Sequence, residues 1–210
     1  ETYDIIILYD NFLRKIVKME IFSVHQLRKE LPKYGNPDTK ISRMRKNGEL
    51  YRIRRGLYVR DKRILKEAIS GLVCGPSYVS FEDALSRYDL IPERVNECSC
   101  ATFGKQRNTH YKNDLGYYSF TNIPLRAFPY GVILYKTGNY CWNMASPEKA
   151  ICDLLYTRKP LKDANDVLGF LFDGMRIEED DFYSLDMEKI GFLSELYGYS
   201  NLKLLKEAVS

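Results

Sequence analysis

TKISRMRKNGELYRIRRGLYVR, residues 39–60, holds eight Lys or Arg against one acid, Glu49. Its apolar residues fall in two different rhythms. In TKISRMRKN, at about 100° per residue of a helix, Ile41 and Met44 share one face. Asp38 or Thr39 is expected to cap that helix, and Gly48 to stop it. In ELYRIR and GLYVR the alternation is two-residue, and Arg55-Gly56 joins the runs as a hairpin turn, with Gly supplying the positive φ. Tyr51, Ile53, Leu57 and Val59 then face inward, and Arg52 and Arg54 face out.

Working back toward the start, FSVHQLRKEL reads as a helix with Ser23 as N-cap and Val24, Leu27 and Leu31 on one stripe, ended by Pro32 and Gly35. YDIIILYDNFLRKIVKME, residues 3–20, has near-helical apolar spacing and reads as a further amphipathic helix. Three helices followed by a two-stranded ribbon is the plan of a winged helix-turn-helix, whose third helix enters a DNA major groove. The candidate DNA-binding residues are Thr39, Lys40, Ser42, Arg43 and Lys46 on the third helix, with Arg52, Arg54 and Arg55 on the wing. Arg43 is the residue type that takes guanine O6 and N7 with both arms. The wing arginines suit phosphates or a minor groove. Charge runs are usually just solvated faces. The coincidence of this one with a recognition-helix position and a wing of the same sign points to double-stranded DNA. The narrow major groove of A-form RNA suits such a helix less well.

The charge is unevenly spread. Residues 1–66 carry 17 Lys or Arg and 8 Asp or Glu, and residues 67–210 carry 15 and 20, for a total of +4. A basic first third and an acidic remainder suggest two modules, set here at 1–70 and 71–210. DKRILKEAISGLV reads as an amphipathic helix bridging them. SFEDALSRYDL begins with a capping pattern, Ser80 and Asp83. Residues 97–142 are strand-like, and SPEKAICDLLYTR restores a helix with Ser146 as N-cap and Pro147 in the first turn. DANDVLGFLFDGM, SLDMEKIGFLSELYG and SNLKLLKEAV read as three more helices. The fold class is α+β: an N-terminal winged helix-turn-helix followed by a mixed α/β domain.

Little here suggests an enzyme. Neither GxxxxGK[ST] nor GxGxxG occurs. His25 reads as a helix surface residue and His110 as part of a polar hairpin loop. Cys98-Ser-Cys100 is too closely spaced for a zinc knuckle and reads as two strand residues on one face. Glu178 to Asp181 read as a solvated helix start. No cofactor and no metal are expected. Five cysteines fit a reducing cytoplasm, and no apolar run approaches the ~18–20 residues that span a bilayer.

Four segments, ISRMRKNGELYRIRRGLYVR, GPSYVSFEDALSRYDLIPERV, CATFGKQRNTHYKNDLGYYSFTNIP and MASPEKAICDLLY, taken in order, resemble the AbiEi family, the antitoxins of type IV toxin–antitoxin systems in bacteria. The resemblance runs from about Ile41 to Tyr156. It implies a winged helix that binds the promoter of its own operon and a C-terminal antitoxin domain. It also implies a nucleotidyltransferase-like toxin as cognate partner, countered without a stable complex. The family's DNA-contacting basic residues carry over to Arg43, Lys46, Arg52, Arg54 and Arg55. No residue carries over for antitoxin activity. The acidic second module departs from relatives that spread positive charge over both domains. Within its blocks, Ser80, Glu82, Glu148, Lys149 and Asp153 are the polar candidates for an exposed functional surface. The alternative reading is a winged-helix regulator whose second domain senses a ligand or a protein.

Overall fold

In a computed structural model the structure describes residues 21–31, 35–93 and 95–209. The helix expected over residues 3–20 and its neighbour's stop at Pro32 lie outside them. Strand β1 (Ile21–Ser23) runs into α1 (Val24–Glu30). Ser23 Oγ accepts from Gln26 N while Gln26 Oε1 accepts from Ser23 N, so the expected cap is a full capping box. Helix α2 (Pro37–Lys46) leads to β2 (Tyr51–Arg54) and β3 (Leu57–Val59). The three strands form a small sheet in the order β1-β3-β2. Three-residue β1 is too short to show alternation, and sequence reading passed over it.

Residues 61–73 do not form the continuous helix expected of them. Asp61 accepts from the backbone N–H of Arg63 at 2.8 Å and pairs with its side chain, a local turn that competes with helix. Only a 3₁₀ turn (Glu67–Ile69) and α3 (Ser70–Val73) follow. Strand β4 (Ser77–Val79) then opens the main sheet, with α4 (Phe81–Arg87), β5 (Glu97–Thr102), β6 (Thr109–Asn113), β7 (Gly116–Asn122), β8 (Val132–Thr137) and β9 (Tyr140–Ala145). The strand order is β6-β7-β5-β4-β9-β8, with β5/β7 and β4/β9 parallel and the other neighbours antiparallel. His110 lies in β6, not in a loop, opposite Ser119. Cys98 and Cys100 do share one face of β5, their sulfurs 3.7 Å apart.

Helix α5 (Pro147–Thr157) starts as expected, with Ser146 Oγ accepting from Lys149 N and Pro147 in the first turn. It packs against α4, α8 (Met187–Glu195) and α9 (Ser200–Ala208). Helix α6 (Ala164–Gly169) ends in a π turn (Phe170–Gly174), and the acidic run starts the short, exposed α7 (Glu179–Tyr183).

Buried apolar residues form one large cluster and one small one. The large cluster runs from Val73 and Tyr78 through Trp142 and Leu154 to Leu205, and it takes in Ile53 and Val59 of the small sheet. Among the described residues, the small cluster beneath α1 and α2 has Leu27, Ile41 and Leu50 fully buried, with Phe22, Val24, Leu31, Met44 and Tyr58 packed against them. At about 1.5–3 kcal/mol for each fully buried aliphatic side chain, these three stabilise the packing of the two helices. On the inner face of the hairpin, Ile53 and Val59 are buried in the large cluster with residues of the later strands and helices.

Candidate nucleic-acid interface

The N-cap of α2 is Asn36, two residues before Asp38 and three before Thr39, the expected caps. Asn36 Oδ1 accepts from Thr39 N at 3.1 Å, with Pro37 at the first helical position. Asp38 lies inside the first turn and takes both arms of Arg28 from α1, at 2.9 and 2.8 Å. That hydrogen-bonded pairing holds the Asp38 carboxyl below its ordinary value. At the other end Gly48, with φ +73°, reverses the chain as expected, and Glu49 N donates to Met44 O. Arg43, Arg45 and Lys46 lie in the last turn, where the helix dipole favours cations.

Ile41 is buried and Met44 half-buried, while Thr39, Ser42, Arg43 and Lys46 are exposed on the remaining surface. Lys40 is half-buried. In the hairpin, Ile53 and Val59 are buried and Arg52, Arg54 and Arg55 are exposed. Gly56 takes φ +79° at the turn, and Val24 N donates to its carbonyl, tying the wing to the start of α1. The register of β2 on β3 shifts between Arg52 and Arg54, a local irregularity of the kind that re-aims side chains. Among the described residues Arg43, Lys46, Arg54 and Arg55 make no ion pair, so their charge is available to a polyanion. Chemically, the surface offers hydroxyls and one guanidinium on a helix, next to cations on a ribbon.

Arg45, in the same turn of α2, is different. Its guanidinium binds both carboxylate oxygens of Asp114, at the tip of the β6–β7 hairpin, with distances of 2.9–3.0 Å. The same carboxylate accepts from Arg52 N at 2.8 Å. Nothing in the sequence marks Asp114 as a partner of Arg45, because a contact spanning 69 residues has no local signal.

Residues 18–60 match the family described as transcriptional regulator, AbiEi antitoxin. The AbiEi match takes in β1 through β3 and with them every candidate DNA-binding residue, on about a fifth of the 210-residue chain. Of the four segments that resemble AbiEi proteins, the first lies inside the match and the other three beyond it. No curated protein matches the chain. The AbiEi description is regulatory and names no catalytic activity. No helix among the described residues is long and apolar enough to cross a membrane.

Beyond the AbiEi-matched segment, the polar candidates for an exposed surface prove to be mostly internal. Ser80, Glu148, Lys149 and Asp153 are buried. Only Glu82 is partly open, and it pairs with Arg158 at 3.1 Å. Asp153 accepts from Tyr78, Ser80 and Tyr197 at 2.9, 2.6 and 2.5 Å and lies 3.3 Å from the Lys149 ammonium. Lys149 also donates to Ala127 O and to the Tyr197 hydroxyl. Burial pulls the Lys149 pKa down, against the opposing pull of Asp153. Ser80 does not cap α4. Phe81 takes φ +57°, so the chain enters that helix off the usual path, and the Ser80 hydroxyl serves Asp153 instead.

A second buried group escaped sequence reading. Glu67, Asp83 and Cys98 bring oxygen and sulfur atoms within 4.8 Å of one another. Arg87 already supplies the cation there, 2.6 Å from Glu67 and 3.4 Å from Asp83. Burial pushes the Cys98 thiol well up, so it stays protonated beside the two acids. The group is an internal charge cluster.

Proposed function

We propose that this chain binds the duplex DNA of its own promoter through α2 and the β2–β3 wing, represses that operon, and counters a nucleotidyltransferase-like toxin without a stable complex. The observation that carries the DNA reading is the exposure of Thr39, Ser42, Arg43 and Lys46 on one face of α2 together with exposed Arg54 and Arg55 on the wing, which make no ion pair among the described residues. The AbiEi match over the same residues supports it. Residues 1–70 are the DNA-reading module and residues 71–210 the antitoxin module. Arg43 reads a base edge; Lys46, Arg52, Arg54 and Arg55 grip phosphates, with Lys40 contributing from the side of the helix. Counterion release makes binding fall steeply with salt.

The test uses the full chain and a duplex from immediately upstream of its gene, followed by fluorescence anisotropy. Arg43→Ala weakens binding and relaxes sequence preference by about 1–3 kcal/mol. Arg54→Ala weakens binding to all duplexes alike. Wild-type affinity in both variants would sink the DNA assignment. With the toxin under separate inducible control, the Arg43→Ala/Arg54→Ala double variant still rescues growth while a promoter reporter is derepressed. Loss of rescue would place antitoxin action in the DNA-reading surface instead.

A further inference from the structure

Asp114 touches both halves of the proposed DNA-reading surface. Arg45 Nε and Nη2 of α2 donate to its two oxygens, and Arg52 N of β2 donates to Oδ2. The backbone completes the contact: Asp114 N donates to Arg52 O at 3.4 Å and Asn113 Nδ2 donates to Ile53 O at 2.9 Å. The Arg45 and Asp114 side chains are 30% and 28% exposed, so the pair is sheltered but not sealed. Strand β2 is an edge strand, and these bonds occupy the edge that β3 leaves open.

We propose that Asp114 is a positioning residue for sequence discrimination. One carboxylate holds the recognition helix and the wing in a single relative placement and keeps Arg45 off the phosphates. Among the described residues, α2 and β2 are also joined by the short link Asn47–Leu50 and by the cluster of Leu27, Ile41 and Leu50, against which Phe22, Val24, Leu31, Met44 and Tyr58 pack. Base readout demands placement to within about half an ångström, and a carboxylate gripped by both arms of Arg45 while accepting from Arg52 N ties the two elements to one point. Phosphate attraction tolerates looser geometry, because counterion release depends on the number of charges near the backbone. The carboxylate therefore serves discrimination more than grip, and its removal has opposite effects on the two. The proposal rests on the DNA-binding reading above.

The experiment compares the full-length chain, Asp114→Ala and Arg45→Met on two duplexes, the upstream sequence and a shuffled sequence of equal composition, across a salt series. In Asp114→Ala the affinity ratio between the duplexes falls about tenfold. Its affinity for the shuffled duplex rises, with the slope of log K on log salt steeper by about 0.9, because Arg45 becomes free to meet a phosphate. Arg45→Met, which cuts the helix from the clasp without adding a charge, loses the ratio without the steeper slope. It also decides the matter if Asp114→Ala fails to fold by circular dichroism. A purely structural role would weaken both duplexes equally and leave the ratio intact. An unchanged ratio in both variants, with Arg43→Ala still losing it, overturns the proposal and leaves the DNA reading standing. If the wild type binds neither duplex, the DNA reading fails and this one with it.

Discussion

Arg43 and Arg45 stand two positions apart on α2, about 200° around the helix, and meet opposite surroundings. One projects into solvent; the other is held by a carboxylate from a distant hairpin. Helical angle was enough to place Ile41 and Met44 inward and Arg43 outward. It could not reveal Asp114, because that partner comes from the far side of the fold. The same holds at Asp83, which reads as an ordinary helix-start acid. Burial, and next the neighbouring Glu67, raise its carboxyl from 3.8 to about 6, against the opposing pull of Arg87. Between those two values the native chain keeps a proton that the unfolded chain has released. This group's contribution to stability is therefore full below about pH 4 and falls as pH rises through about 6, by on the order of 3 kcal/mol. Urea unfolding at steps from pH 4 to 7 should show that fall in the wild type and a flatter profile in Asp83→Asn. Equal slopes would mean that Asp83 titrates normally.

The elements legible in advance were those whose ends are written locally: Ser23 and Ser146 as caps, Gly48 as a stop, Gly56 as a turn. The cap of α2 was expected at Asp38 or Thr39 and lies at Asn36. Asn36 is extended and Asp38 is already helical and engaged with Arg28. Asn36→Ala should thus cost about 0.5–2 kcal/mol in thermal or urea unfolding, the usual range for an N-cap. The loss should also weaken DNA binding, because Thr39 sits at the position whose N–H the cap orders. Asp38→Ala, which breaks an exposed pair, should cost less than about 1 kcal/mol. A larger loss at Asp38 than at Asn36 would reverse the capping assignment. Strands β1 and β4 were missed for length, and residues 61–66 were overread as helix because Asp61 forms a turn in place of a cap.

At the scale of the whole molecule, the interior is more polar than the hydrophobic pattern implied. Lys149 and Asp153, one helical turn apart on α5, looked like surface residues; both are fully buried, joined by Tyr78, Ser80 and Tyr197. Asp153→Ala strands the Lys149 ammonium without its counter-charge and should cost about 3–5 kcal/mol. Replacing both together, as Lys149→Met/Asp153→Leu, should cost less in the same unfolding measurement. If the double variant is the worse of the two, the network stabilises more than apolar packing would. The mixed helix-and-strand composition was readable from the change between helical and two-residue periodicity along the chain. The way its parts meet was not: Ile53 and Val59 contribute to the large core, and the β6–β7 tip closes the open edge of β2. That closure bears on how such proteins can be recombined. If the proposed DNA-reading head, residues 1–70, were exchanged between two relatives, the cut would fall at the buried start of α3 and the head would leave its mate behind, since Asn113 and Asp114 lie in the other fragment. A working chimera would have to carry that turn along with the head, so new binding specificities would spread less readily by shuffling than by point substitution at Thr39, Ser42 and Arg43.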